Sequence, residues 1–332
     1  MKDNNEESTQ LSESTHRLYH HEDPVLLEAF RYINTVPGKE IRSKLIECFQ
    51  MWHTVDSPQV LSEIKEIVAE LHNASLLIDD IQDNSCLRRG QPVAHKIFGI
   101  GSVINCANYV YFLAQQRCHN LQNDEAMKVF ISEMLNLHRG QGHDIYWREE
   151  GKCPTEEEYC NMVIDKTGGL FRLAVGLMGA LSTNGFKKDL TPLVNTLGLY
   201  FQIRDDFINL ADQEFFKLKS FCEDLTEGKY SFPIIHCIRL SEKNKDSRLS
   251  NILKQRTEDI EIKKYAQKIL LDSGSLKYTF DKCVTLKEEI VLQIEELGGN
   301  ESLMKVVTHL HLQVAKVEAD VISNKRNIKE IS

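Results

Sequence analysis

The chain has 332 residues, with 49 Asp and Glu against 40 Lys and Arg and a formal net charge of −9. That balance argues against a nucleic-acid partner and an anionic membrane surface, both of which are held by a basic excess. Taken by itself, it also speaks against a polyphosphate ligand.

A hydrophobic fraction of 42% and a charged fraction of 27% match an ordinary soluble globular chain, long enough to bury a large core. Residues 1–20 hold several acids and no apolar signal region, so they read as a disordered tail. Asp23-Pro24, Ser57-Pro58 and Thr191-Pro192 each have a capping residue followed by Pro, which loses nothing at the first helical position. A break is expected at Val36-Pro37-Gly38. Leu61, Ile64, Ile67, Val68, Leu71 and Ser75 recur at helical spacing and predict one helix from Pro58 to about Asp80. Arg89-Gly90-Gln91-Pro92 reads as a second break. Thr155 with Glu158 forms a capping box. Gly168 to Leu181 is the most apolar stretch, but it is too short for a membrane span and is interrupted by Arg172. Val194, Leu197, Leu199 and Phe201 lead to Asp205 in a second long helix starting at Thr191. Further breaks are expected at Gly185, in the polar loop Ser241 to Ser250, and at Gly298-Gly299. Residues 323–332 read as a frayed tail. No β-alternation with hairpin turns and no repeat is found, so residues 21–322 are read as a single all-α domain. The nine Cys are scattered without a CxxC pair, which suggests free thiols in a reducing compartment, with the cytoplasm as default.

Two acidic clusters carry the chemistry. Asp79-Asp80-Ile81-Gln82-Asp83 follows the apolar run Ser75 to Ile78, and Asp205-Asp206-Phe207-Ile208-Asn209 follows Leu199 to Ile203. Asp79 and Asp83 share one helix face, about 5–6 Å apart, and like charges there are destabilising unless something positive lies between them. Carboxylate oxygens are the hard ligands Mg²⁺ takes, with waters and substrate phosphates completing its shell. An EF-hand is excluded, because Ile81 or Phe207 would stand at a ligand position and the required Gly is absent. One such cluster alone reads as a solvated helix face; two matched ones after apolar runs favour metal. Lys39, Arg42, Arg88, Arg89, Lys219 and Lys229 lie near them, and such cations bind phosphate oxygens. Acids for metal beside cations for phosphate describe a diphosphate site.

At LHNASLLIDDIQDNSCLRRG, GQGHDIYWR, DKTGGLF, FQIRDDFINL and FCEDLTEGKYSFP the sequence resembles trans-isoprenyl diphosphate synthases, most closely the animal and fungal geranylgeranyl diphosphate synthases. The resemblance runs from about Pro37 to about Leu310. It implies an isoprenoid-synthase-type bundle of long, mostly antiparallel helices around a central cavity, as a homodimer or higher homo-oligomer. It implies three Mg²⁺ held by Asp79, Asp83 and Asp205, with Asp80 and Asp206 supporting. By resemblance Arg88, Lys166, Lys219 and Lys229 bind the allylic diphosphate, and Lys39, Arg42, His72 and Arg89 bind isopentenyl diphosphate. Thr167 and Gln202 face the reacting carbons, and Gln141 and Asp144 line the site. The implied reaction is ionisation, condensation and elimination, with the released diphosphate as base. Farnesyl diphosphate is the expected allylic substrate.

Ala74 and Ser75 precede Asp79 by about one helical turn, where bulky side chains would stop a growing tail. Their small size leaves a pocket open or serves close helix packing. By resemblance its floor lies near Tyr111, Phe112 and His138, which gives a twenty-carbon product. Asn209 ends the second cluster in place of Asp, as in the animal geranylgeranyl synthases, and has little weight; His143 and Leu218 depart from the family pattern. They keep open a rival, a terpene synthase derived from a prenyltransferase, which ionises a prenyl diphosphate without condensation. Retention of Lys39, Arg42, His72 and Arg89 favours condensation. A non-catalytic regulatory subunit ranks third, because both acidic clusters are present.

Overall fold

The computed structural model describes residues 23–35, 38, 41–211 and 221–331. Among these lie sixteen helices: α1 (Asp23–Leu26), α2 (Glu28–Asn34), α3 (Ile41–Phe49), α4 (Pro58–Gln82), α5 (Ala94–Phe98), α6 (Ile100–Asn120), α7 (Asp124–Glu150), α8 (Glu156–Lys166), α9 (Gly168–Ala180), α10 (Thr191–Ala211), α11 (Glu223–Glu227), α12 (Phe232–Lys243), α13 (Arg248–Gln255), α14 (Ile260–Asp272), α15 (Ser275–Glu296) and α16 (Glu301–Ile331). The chain is all-α as expected.

Local chemistry sets many of the boundaries. Ser57 caps α4 by accepting from the Val60 N–H, with Pro58 at the first position. The Thr155–Glu158 capping box closes reciprocally at 3.1 and 2.7 Å. At α10 the N–H of Thr191 is taken by Asp189, so Thr191 lies inside the helix rather than before it. Gly298 and Gly299 both have positive φ and end α15.

Two expectations are corrected. The loop expected over 241–250 is shorter: α12 continues to Lys243 and α13 begins at Arg248, leaving residues 244–247 between them. The polarity there marks exposed helix faces. A small hairpin also exists, β1 (Leu87–Arg88) paired antiparallel with β2 (Gln91–Pro92). Arg89 at φ 53° and Gly90 at φ 78° supply the two left-handed residues such a tight turn needs.

Helix α4 packs along α6, α7 packs on α8 and α9, and α10 packs along α15. The main core contains Tyr159, Tyr200, Phe207 and Phe232, all fully buried. A smaller cluster gathers Ile33, Ala74, Leu77, Val103, Ala107 and Val110. Two glycines let helices approach backbone to backbone. A Cβ on Gly140 would lie 2.4 Å from the Lys166 nitrogen, and one on Gly198 would lie 2.9 Å from the Gly168 Cα. The first approach sets Asp144, one turn on, against Lys166. The second sets Gln202 against Thr167.

Candidate active site

The first acidic row lies at the C-terminal end of α4, and each acid meets a cation from another segment. Asp80 is buried and takes Arg88, with Arg88 Nε donating to its Oδ1 at 2.8 Å. Asp79 receives Gln141 Nε2 at 3.1 Å and has Lys166 Nζ at 3.5 Å. Asp83 pairs with Arg148, which also donates to the Gln82 carbonyl at 3.0 Å. Lys166 itself bonds Asp144 at 2.6 Å. Burial alone would raise the Asp79 carboxyl, but Lys166, then Arg88 and Lys229, outweigh it and hold it below its usual value. Burial and the neighbouring Asp79 push Asp83 the other way. Burial would lower Lys166, yet Asp144, Asp79 and Asp83 together raise it, so it stays cationic.

The second row divides by direction along α10. Asp205 points outward, with its side chain 64% exposed, and accepts from Arg204 at 2.6 Å. Asp206 points inward and accepts from Tyr159, from the Phe232 N–H at 2.9 Å, from Gln202 at 2.9 Å and from Lys229 at 3.5 Å. Thr167 donates to Gln202 Oε1 at 2.8 Å. Asn209 accepts from the Asp224 N–H at 3.2 Å, entering α11. Its neutral amide suits a buried position between Asp206 and Asp224, which accounts for this departure from Asp.

Behind the first row, Arg42 Nη1 lies 2.9 Å from His72 Nε2, and the Arg42 guanidinium stands 5.8 Å over the Phe171 ring. Burial, then Arg42, Arg89 and Arg88, depress His72 well below its usual pKa, leaving a neutral imidazole to accept from Arg42. Burial lowers Arg42 to about 10, opposed by Asp205. The hairpin turn sends Arg88 to Asp80 and Arg89 towards the Ile33 carbonyl at 3.5 Å. Lys39, Lys219 and Leu218 fall outside the described residues.

The tail-pocket residues separate. Ala74 is fully buried in the smaller cluster, where its small size suits close helix approach. Ser75 is half-buried and donates to the His72 carbonyl at 2.8 Å. Tyr111 meets His138 edge-on at 5.9 Å. Phe112 is 68% exposed in the single chain, because α6 turns Val110, Leu113 and Ala114 inward and residue 112 away. His143 departs from the family pattern on an outer face. It lies exposed and stacked on Trp147 at 5.9 Å, away from the buried Asp144.

Sequence reading missed Arg148, Tyr159 and Asp224. Arg148 could have been found, since it lies four residues after Asp144 on one helix face. Tyr159 looks like any core aromatic, and nothing local marks it.

Among the described residues, no three His, Cys, Asp or Glu side chains converge to hold a metal by themselves. The donor set still fits a hard cation. The close hydrogen bonds to Asp79, Asp83 and Asp205 all fall on Oδ1. Such a site suits Mg²⁺, which keeps waters and takes substrate phosphates as ligands.

The family model for polyprenyl synthetase matches residues 23–270. A geranylgeranyl pyrophosphate synthase of Dictyostelium discoideum is 50% identical over 86% of this chain and 92% of its own. One from Mucor circinelloides f. lusitanicus is 48% identical over 88% and 94% respectively. A protein of Matsumurasca onukii named terpene synthase is 51% identical over 87% of this chain and 93% of its own.

Proposed function

The chain belongs to the polyprenyl synthetase family, and from that premise we propose that it condenses farnesyl diphosphate with isopentenyl diphosphate to geranylgeranyl diphosphate. The observation that carries this reading is the union of both acidic rows in one charge field. Lys229 bonds Asp206 of the second row, and its charge is felt at Asp79 of the first.

Asp79, Asp83 and Asp205 would hold Mg²⁺, up to three ions, with Asp80 and Asp206 supporting. Bound Mg²⁺ neutralises charge on a departing diphosphate. Arg88, Lys166, Lys219 and Lys229 bind the allylic diphosphate and stabilise the same developing charge. Lys39, Arg42, His72 and Arg89 hold isopentenyl diphosphate. The neutral His72 accepts from Arg42 and keeps its guanidinium aimed. Thr167 and Gln202 turn oxygens to the allylic carbon as it becomes cationic, with Gln141 and Asp144 fixing Asp79 and Lys166 beside it. The isopentenyl double bond attacks that carbon, and the proton lost afterwards goes to the released diphosphate. The tail runs from Asp79 past Ser75 towards Tyr111 and His138.

A homodimer or higher homo-oligomer belongs to this reading. Helices α6 and α7 turn Ile104, Phe112, Ile131, Leu135 and Tyr146 outward, an apolar face that a second copy would cover. The cytoplasm fits nine free cysteines. No described helix is long and apolar enough to cross a membrane.

One observation favours a second reading, a terpene synthase acting without isopentenyl diphosphate: the 51% identical relative of that name. Purified protein with Mg²⁺, isopentenyl diphosphate and, separately, dimethylallyl, geranyl and farnesyl diphosphates decides between them. A twenty-carbon diphosphate from the farnesyl arm, lost on chelation, is the expected product. Volatile products made equally well without isopentenyl diphosphate would install the second reading. No turnover in any arm would sink both and leave a regulatory subunit.

A further inference from the structure

Asp206 is 1% exposed, and an ionised carboxylate at that depth needs donors for its lone pairs. It has four. Oδ2 accepts from the Tyr159 hydroxyl and from the Phe232 N–H at 2.9 Å. Oδ1 accepts from Gln202 Nε2 at 2.9 Å and from Lys229 Nζ at 3.5 Å. A carboxylate only accepts, so the end of the Gln202 amide that faces it is the NH₂. The opposite end, Oε1, accepts from Thr167 Oγ1 at 2.8 Å. A hydroxyl has one proton, and Thr167 gives it to Gln202. Its lone pairs are thereby left for whatever lies in front of it.

Tyr159 begins this series. It is fully buried on α8, with its ring packed on Phe232 at 5.6 Å. It lies seven residues before Lys166, on the same helix face. The steps given above make no use of it.

We propose that Tyr159 is a positioning residue for condensation. Through Asp206 it holds the Gln202 amide with its oxygen towards Thr167, and so keeps the Thr167 lone pairs turned to the allylic carbon. This rests on the condensing function proposed above. Without the Tyr159 hydroxyl, Oδ2 of Asp206 retains only the Phe232 N–H, and the carboxylate is free to turn. The amide can then flip and offer N–H to Thr167. That takes up a Thr167 lone pair and points positive dipole ends at a carbon gaining positive charge.

Tyr159→Phe removes the hydroxyl and keeps the ring. Its kcat should fall about tenfold, with KM for both diphosphates within about twofold of the unaltered enzyme. A merely structural role gives the opposite split. Lys229 would loosen together with Asp206, so KM for the allylic diphosphate would rise while kcat held. Tyr159→Leu, which also removes the ring, should match Tyr159→Phe in kcat but melt lower. Unchanged kcat in Tyr159→Phe, or a kcat loss that appears only in Tyr159→Leu, overturns the proposal. If Tyr159→Phe does not fold, 3-fluorotyrosine at this position keeps a donor on the same ring. It should hold kcat within about twofold, and a tenfold fall there also overturns the proposal. The unaltered enzyme separates the two possible failures. No isopentenyl-dependent product from it defeats the condensing function. Normal condensation by it and by Tyr159→Phe alike defeats only the positioning role.

Discussion

Asp79 and Asp205 each follow a helix of apolar residues and each is followed at once by a second Asp, yet the two rows are built differently. In the first, all three acids are met by cations from elsewhere in the chain: Lys166 at Asp79, Arg88 at Asp80 and Arg148 at Asp83. In the second, only Asp205 faces outward. Asp206 is a buried hub for Tyr159, Phe232, Gln202 and Lys229, and Asn209 serves the entry of α11. The residues five and four positions upstream differ as well. Before Asp79 they are the small Ala74 and Ser75. Before Asp205 they are Tyr200, fully buried, and Phe201, packed on Phe171 at 5.2 Å. The first row therefore follows a turn of small side chains, and the second is backed by aromatic core. A shared motif tells where acids lie on a helix, and the packing behind it decides what they can do.

The largest effect should come from Asp79→Ala, which removes the first-row carboxylate that Gln141, Lys166 and Arg88 surround. Turnover should fall on the order of a thousandfold, with a smaller loss of stability than Asp206→Ala gives. Retained turnover would show that the first row is not where the diphosphate is handled. Asp206→Ala tests the opposite character of the second row. Three side-chain donors and one backbone donor lose their acceptor, and stability should fall by about 3–5 kcal/mol in denaturant titration. A stable variant would mean that Asp206 is no hub.

Ser75→Phe would make the upstream turn of the first row resemble that of the second. Chromatography of the products should then show chains shorter than twenty carbons. Ala74→Phe, placed in the α4–α6 seam, should instead cost about 1–3 kcal/mol from overpacking. If Ala74→Phe shortens the product at full stability, the roles of the two positions are reversed. Asn209→Asp would give the second row the acid of the first. It places a carboxylate at 8% exposure near Asp206, and should cost about 1–3 kcal/mol at neutral pH. Stability should recover as the pH falls and the new carboxyl protonates.

The smallest effect lies within α4. Burial, against the opposing pull of Arg117, raises Glu70 to about 7. A carboxyl raised above its unfolded value contributes stability that is complete below that unfolded value and lost as pH rises through about 7. Asp79 is lowered, so its contribution is present at neutral pH and lost as pH falls. Glu70→Gln should flatten the decline in melting temperature as pH rises through the Glu70 titration. An unchanged slope would assign that decline to another group.

Much of the site could be read from residue order. Asp79, Asp83, Asp205, Arg88 and Lys229 stand near the ends of elements whose periodicity and caps are local signals. Gly140 and Gly198 were silent, because a glycine that permits contact between two helices looks like any other until its neighbour is known. Phe112 is similar: the resemblance puts it near the pocket floor, and the rotation of α6 that exposes it in the single chain is visible only in the fold.

The sequence by itself determined the all-α class, the two long helices ending in acids, and the nearness along the chain of the acids and cations from which a diphosphate site is proposed. Those features depend on spacing along one chain. The tertiary structure alone decided which cation meets which acid, that Asp206 faces inward while Asp205 faces out, and that Tyr159 completes the Asp206 shell. Those depend on how closely α7, α8, α9 and α10 approach. Approach is set by volume and glycine at contacts between residues distant in the chain, which no local pattern encodes.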